Sequence, residues 1–198
     1  MGRSVEQEDY IKKYREERIN KNEEVLKNND EEIRAEYFLI LDNLIQEQLK
    51  CQNKNEQNKI KHISLCRLLS SSYTESYESY LWISNSQLYY DNNKSYTYWK
   101  PSFIYDSLDK DMIEVERLLR KKFIHIEAYE LFILKKKLIL DDWISFKKLF
   151  CNLAKESKQS IINSSLQVED EILILYGDYM ERLEVIGRIE IIEGGGHE

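Results

Sequence analysis

The sequence predicts a helix-dominated α+β fold, in which a small antiparallel sheet from about residue 60 to 105 is packed by helices and preceded by an N-terminal helical hairpin. The chain of 198 residues has one proline and six glycines, three of them in the tail, so little interrupts long helices. Apolar residues recur at the helical period before residue 55 and again after residue 109. The intervening stretch is rich in serine, tyrosine and tryptophan and alternates in places, which favours strands.

The N-terminal segment is polar and predicts a continuous helix from Ser4 to about Asn28. Ser4 and Gln7 have the spacing of a capping box. A helix this polar buries little surface of its own, so we expect it to project into solvent, dock on a partner or lie loosely on the body. A clearly amphipathic helix is predicted from Asp30 to about Gln52, antiparallel to the first helix or bent from it.

The central segment predicts strands. The run Tyr77–Ile83 alternates between two faces, and a turn near Thr74–Ser76 would join it to an earlier strand that contains Ile63. A helical interpretation stays open, because the tyrosines of this segment also fit a period of 3.6 residues. Ser95–Tyr105 is predicted as a strand or a loop and contains the proline.

The C-terminal half returns to the helical pattern. A helix is predicted from Asp109, and a longer one from about Ile126 to Glu156. Lys158–Ser165 is predicted as a polar linker. Val168 to about Leu183 has the helical period and predicts another helix, whereas Leu183–Ile192 alternates and predicts a terminal strand. We therefore divide the chain into an N-terminal helical hairpin or arm (1–55), an α+β body (56–193) and a flexible tail (194–198).

The charge and cysteine content restrict the classes of partner. The net charge of −7 disfavours binding to the phosphate backbone, although Arg117, Arg120, Lys121 and Lys122 keep a local basic patch open as an alternative. No apolar run approaches the roughly 18 residues that a membrane span needs. Three widely spaced cysteines and a charged N-terminus indicate a cytoplasmic protein with reduced thiols. The abundance of Ile, Asn, Lys and Tyr suggests an AT-rich bacterial or phage genome.

Candidate residues for chemistry are few. His62 and Cys66 have i, i+4 spacing, but one loose pair is not the pattern of a zinc site, so no metal or cofactor is predicted. Asp106, Asp109 and Asp111 are expected to favour a helix N-terminus. Asp142 lies near the apolar stripe of its helix, and a buried, hydrogen-bonded role is the main alternative to an exposed one. We predict no catalytic residue, and the chain is more typical of a non-enzymatic protein.

A cluster of tyrosines and tryptophans between residues 73 and 105 is the unusual feature of the sequence. Such side chains are enriched at protein interfaces, but a tyrosine-rich sheet packed under helices is the simpler explanation, and base stacking is a third. The leading hypothesis is a non-enzymatic protein-binding component (immunity, inhibitor, adaptor or complex subunit) that uses this cluster and the polar first helix. The alternatives are an enzyme with dispersed carboxylates and tyrosines, in which Asp142 or Glu127 would line a crevice, and a nucleic-acid-associated factor. The predicted partner-binding residues are Tyr77, Tyr80, Trp82, Tyr89, Tyr96, Tyr98 and Trp99.

Overall fold

A computed structural model describes residues 2–191 and confirms the helix-dominated α+β fold. The helices in that range are α1 (Arg3–Tyr10), α2 (Lys12–Asn28), α3 (Asp30–Asn53), α4 (Ser71–Thr74), α5 (Leu108–Leu119), α6 (Ala128–Glu156) and α7 (Lys158–Asn163). The strands are β1 (Ile60–Arg67), β2 (Ser79–Ser84), β3 (Ser95–Trp99), β4 (Val168–Asp178) and β5 (Leu183–Glu190), and a short 3-10 helix covers Leu88–Tyr90. Among the described residues, no helix is both long and apolar enough to cross a membrane.

The five strands form one mixed sheet with the order β3-β2-β1-β4-β5. The antiparallel pairs β1–β2 and β2–β3 correspond to the sheet predicted between residues 60 and 105. Two further strands enlarge it, because β4 pairs parallel to β1 and antiparallel to β5. The terminal strand predicted from Leu183 is present as β5.

The predicted helix from Val168 to Leu183 is wrong, because this segment contains strand β4. Ile172, Leu175 and Tyr176 recur at a spacing that also suits a helix. However, the consecutive residues Ile174, Leu175 and Tyr176 are all buried, so β4 buries side chains on both faces of the sheet. A strand covered on both faces is apolar along its length and has no strict alternation, which makes it resemble a helical pattern.

Local differences occur near the chain ends. The predicted N-terminal helix is divided at Ile11 into α1 and α2, and the predicted capping box is absent because Gly2 precedes α1 without a side-chain cap. The amide of Gln7 instead donates to Glu130 Oε1 at 3.0 Å.

The predicted polar linker Lys158–Ser165 is largely the short helix α7. The predicted flexible tail at 194–198 lies outside the described residues.

The chain forms two compact units, each built from two separate stretches of sequence. The first unit combines Met1–Asp30 with Pro101–Lys147, and therefore contains α1, α2, α5 and most of α6. The second combines Glu31–Lys100 with Lys148–Glu198, and contains the sheet, nearly all of α3 and the end of α6. The two units do not coincide with the domains predicted from the sequence, which met near residue 55. That division into domains stays a prediction.

The core of the second unit lies on one face of the sheet. Tyr37 of α3 contacts Trp99 of β3 with ring centroids 5.9 Å apart, and Phe150 of α6 contacts Tyr176 of β4 at 5.8 Å. Gln48 of α3 accepts hydrogen bonds from the backbone N–H and hydroxyl of Ser95. Since Trp99, Ser95 and Tyr176 share this face by the strand register, α3 and the end of α6 cover it.

Candidate functional site

The sheet face opposite α3 carries most of the aromatic cluster, and we call it the tyrosine face. Because side chains alternate along a strand, Tyr80 and Trp82 of β2 point to this face. The register places Tyr98 of β3 opposite Tyr80, and Tyr96 opposite Trp82. Cys66 of β1 pairs with Tyr80 and lies on the same face. The residues of the tyrosine face are Cys66, Tyr80, Trp82, Tyr89, Tyr96, Tyr98 and Tyr179.

The inner layer of the tyrosine face is a small second core. Trp82 is fully buried, and Tyr80 is nearly so. Tyr89, in the 3-10 helix, and Tyr179, which follows β4, pack over them. The centroid of the Tyr179 ring lies 5.3 Å from that of Tyr80, and the centroid of the Tyr89 ring lies 5.9 Å from that of Trp82. Burial raises the pKa of the Cys66 thiol to about 12, so this thiol stays protonated and unreactive near neutral pH.

The outer layer of the tyrosine face is exposed. Tyr96 and Tyr98 are 52% and 55% exposed although they stand on a regular strand. Their rings lie 5.1 Å and 5.7 Å from the Tyr80 ring, so each has one side fixed against the buried layer. This arrangement presents two rigid rings with their hydroxyl groups, which is the kind of surface that buries large area with little loss of side-chain entropy.

The other predicted partner-binding residues lie elsewhere. Trp99 is buried on the helix-covered face, where its Nε1–H donates to Glu36 at 3.4 Å. Tyr77 precedes β2, is half-buried, and has Lys100 Nζ 5.6 Å from its ring centroid. The structure therefore brings together the five predicted residues Tyr80, Trp82, Tyr89, Tyr96 and Tyr98 on the tyrosine face. The role of the set in binding stays a prediction.

The sequence and the fold of the whole chain have no match among known proteins. Neither the models of known protein families, nor the curated proteins, nor the solved structures resemble this chain.

The first unit contains a second concentration of polar side chains, a buried ionic cluster centred on Arg18 of α2. Arg18 is 4% exposed, and its guanidinium donates to both oxygens of Asp142 on α6 at 2.7 Å each. Its Nε–H donates to Asp111 of α5 at 2.6 Å. Asn22 donates a further bond to Asp142 at 2.6 Å, and the Tyr14 hydroxyl donates to Asp111 at 2.8 Å.

The charge of this cluster is unbalanced. The single guanidinium of Arg18 forms ion pairs with two carboxylates, those of Asp111 and Asp142. The neighbouring Arg15 and Asp141 form a separate ion pair, with one positive and one negative charge, at an N–O distance of 2.7 Å. Burial raises the pKa of Asp142 to about 6, against the opposing effect of Arg18. The pKa of Asp111 is lowered despite its own partial burial, because Ser107, Arg18 and Tyr14 donate hydrogen bonds to its ionised form. The cluster therefore holds a proton at Asp142 more readily than an ordinary aspartate would.

The raised pKa of Asp142 predicts a specific dependence of the free energy of unfolding on pH. The folded-state pKa of Asp142 lies above the ordinary value, so its contribution to stability is complete in acid and is lost as the pH rises through about 6. Asp142 should thus make the protein about 1 kcal/mol more stable at pH 5 than at pH 7. Asp142→Asn should abolish that part of the pH dependence, as measured by urea unfolding at both pH values.

The comparison between wild type and variant removes the contributions of other groups. Asp111, with its lowered pKa, and His62, whose pKa is lowered by burial, both favour stability at higher pH, and they are present in both proteins. An Asp142→Asn variant with the same difference between pH 5 and pH 7 as the wild type would contradict the assignment of the shifted pKa to Asp142.

The cluster has a structural role that the sequence did not reveal. The sequence singled out Asp142 as a candidate for burial, but Arg18, which lies 124 residues away, was seen only as part of a polar helix. The signal that could have found it is the set of three polar residues Tyr14, Arg18 and Asn22, which recur every four residues on one face of α2. A polar stripe of this kind is typical of a helix whose buried face is hydrogen-bonded instead of apolar.

The remaining sequence candidates have ordinary surroundings. Glu127 is exposed. His62 bonds to the carbonyl oxygen of Asn85 through Nδ1 at 2.8 Å. Within residues 2–191, no three His, Cys, Asp or Glu side chains are grouped so that they could hold a metal ion. At the C-terminal end of α5, Arg117 forms an ion pair with Glu114 and Arg120, which follows the helix, forms one with Glu116. These pairs offset part of the charge of the predicted basic patch.

Proposed function

We propose that this chain is a non-enzymatic protein-binding component, of the immunity, inhibitor, adaptor or complex-subunit kind, which recognises another cytoplasmic protein through the tyrosine face. The observation that supports it is the exposure of Tyr96 and Tyr98 on a regular strand, above a buried aromatic layer. Aromatic residues with a fixed ring and an accessible hydroxyl dominate the energy of many protein interfaces.

The flanking charges favour a protein partner over nucleic acid. Base stacking on Tyr96 and Tyr98 would need cations beside the rings to meet the phosphates. The two lysines that flank β3 are directed elsewhere: Lys94 Nζ donates to two backbone carbonyl oxygens, and Lys100 lies over the Tyr77 ring. The tyrosine face therefore offers aromatic rings for stacking, but the lysines that flank β3 are not placed to bind phosphates beside them.

The ionic cluster argues against a general enzymatic role for Asp142. Both oxygens of its carboxylate accept bonds from Arg18, and one also accepts a bond from Asn22. A catalytic carboxylate needs at least one oxygen within reach of a substrate. The same contacts give helix α2 a reason to be ordered within its own unit, so the proposal depends on the tyrosine face and no longer on the polar first helix.

The proposal is tested by affinity capture from the native host with the full-length chain. A double variant, Tyr96→Ser and Tyr98→Ser, should reduce recovery of a stoichiometric partner by at least about 100-fold, because two anchoring tyrosines are lost. The matched control is Tyr129→Ser, which removes an exposed tyrosine from α6 of the first unit and should leave recovery unchanged.

A deletion of residues 1–28 is unsuitable for this experiment. It would remove Arg18 and leave Asp111 and Asp142 without their guanidinium, so loss of binding could reflect unfolding of the first unit. Equal recovery of the partner with wild type and with the double variant would overturn the proposal.

A further inference from the structure

The outer edge of β3 and the adjacent side of α3 form an open groove in the second unit. The groove has a volume of about 360 Å³, and its lining includes Ile40, Leu44 and Lys50 of α3 together with Tyr96 and Thr97 of β3. Strand β3 is at one end of the strand order, so it is an edge strand of the sheet. The backbone of an edge strand can pair with a further strand.

The backbone of Thr97 is directed toward this groove. The N–H of Ser95 donates to Gln48 Oε1 at 3.0 Å, so it points away from β2. In an antiparallel ladder the direction of the backbone groups alternates from one residue to the next. The N–H and C=O of Thr97, two residues after Ser95, therefore also point outward, beside the groove.

Strand β3 lacks two of the usual features that prevent edge pairing, since Ser95–Trp99 contains neither a charged residue nor proline. Gln48 already accepts the N–H of Ser95 at one end of the strand, so the backbone that is open for pairing is centred on Thr97. The lysines on either side do not project along the edge, since Lys94 bonds to the carbonyl oxygens of Tyr89 and Asp91 and Lys100 lies over Tyr77. The strand is also nearly symmetric about Thr97, because a tyrosine stands on each side of it.

We propose that two copies of the chain associate through this edge, with β3 of one copy antiparallel to β3 of the other around a two-fold axis at Thr97. Each Thr97 then exchanges its backbone N–H and C=O with Thr97 of the second copy. Tyr96 of each copy lies opposite Tyr98 of the other on the tyrosine face, and aromatic cross-strand pairs of this kind stabilise a sheet. The contact is isologous, as in most dimers.

One pair of opposite charges on α3, Lys50 and Glu36, is brought together across the two copies in this arrangement. Helix α3 runs antiparallel to β3, because Gln48 bonds to Ser95 at one end and Glu36 to Trp99 at the other. The two-fold axis brings the Ser95 end of one copy to the Trp99 end of the other. Lys50, near the Ser95 end and in the lining of the groove, then faces Glu36 of the second copy.

This association does not depend on the proposed function. It would join the two sheets into one continuous sheet and place two tyrosine faces side by side. The occupant of the edge is a second copy, whereas the proposed function concerns a different protein. Substitutions that change the backbone of Thr97 or the charge of Lys50 leave Tyr96 and Tyr98 in place. They therefore test the association of two copies without removing the side chains on which the proposed function depends.

The association is measured by sedimentation equilibrium of the full-length chain up to roughly 100 μM. The wild type should sediment as a dimer. Thr97→Pro removes only an outward N–H, which an edge strand tolerates, and should weaken dimerisation by roughly 10- to 100-fold. Thr97→Val keeps the N–H and is the matched control, for which the dimer should persist.

A second variant keeps the test decisive if Thr97→Pro does not fold. Lys50→Glu should weaken the dimer, and addition of Glu36→Lys should restore it, because the ion pair is then reversed. A wild type that is monomeric across the whole concentration range would overturn the proposal. So would a dimer that neither Thr97→Pro nor Lys50→Glu weakens.

Discussion

Arg18→Ala is expected to lower the free energy of unfolding by about 3–5 kcal/mol. Arg18 is nearly fully buried and bonds to two carboxylates, Asp111 and Asp142. Its removal leaves both without a cation in a site that water does not reach freely. The change is measured by urea unfolding at pH 7, where Asp142 is mostly ionised and the penalty is largest.

The matched control for this prediction is Arg117→Ala on α5. Arg117 also donates two hydrogen bonds to a carboxylate, that of Glu114, but both groups are exposed on the helix surface. Exposed pairs of this kind contribute little, so the control should unfold like the wild type. Similar losses for Arg18→Ala and Arg117→Ala would contradict the central role given to the buried cluster.

Phe150→Ala is expected to destabilise the protein by about 3–5 kcal/mol. Phe150 is fully buried in the second unit, between Tyr37 of α3 and Tyr176 of β4, with ring centroids 6.1 Å and 5.8 Å away. Its truncation opens a cavity between the helices and the sheet that these large rings cannot close. Thermal and urea unfolding followed by circular dichroism both measure the loss.

The matched control is Ile144→Ala, six residues earlier on the same helix. Ile144 is mostly exposed, so its truncation removes few contacts and should change the free energy of unfolding by less than about 0.5 kcal/mol. A loss for Phe150→Ala no greater than that of Ile144→Ala would mean that α6 does not pack on the sheet as described.

The sequence predicted helices more successfully than strands, and the residues explain why. Helices α3, α5 and α6 each bury one stripe, so their apolar residues recur at a period that the sequence shows directly. Strand β4 is covered on both faces, and its run from Ile172 to Tyr176 carries no alternation from which a strand could be recognised. The parallel pairing of β1 with β4 joins segments more than 100 residues apart, which local patterns do not report.

The candidate sites were predictable only in part. Composition located the aromatic cluster that supplies five residues of the tyrosine face but missed Tyr179, and the alternation of β2 correctly placed Trp82 on the face opposite Leu81. The opposite placement of Trp99 depends on the register of β3, which the sequence left as strand or loop. Likewise, Asp142 could be suspected of burial, but its partner Arg18 is brought to it only by the packing of α2 on α6.

Photo-crosslinking in the native host tests the binding role of the tyrosine face most directly. Benzoylphenylalanine is incorporated in place of Tyr98, or in place of the similarly exposed Tyr129 on α6 as a control. A discrete adduct with a different protein is predicted for position 98 and not for position 129, whereas an adduct of two identical chains would report the β3 edge alone. Crosslinking to the same set of proteins from both positions, or no heterologous adduct from position 98, would contradict recognition of a partner by the tyrosine face.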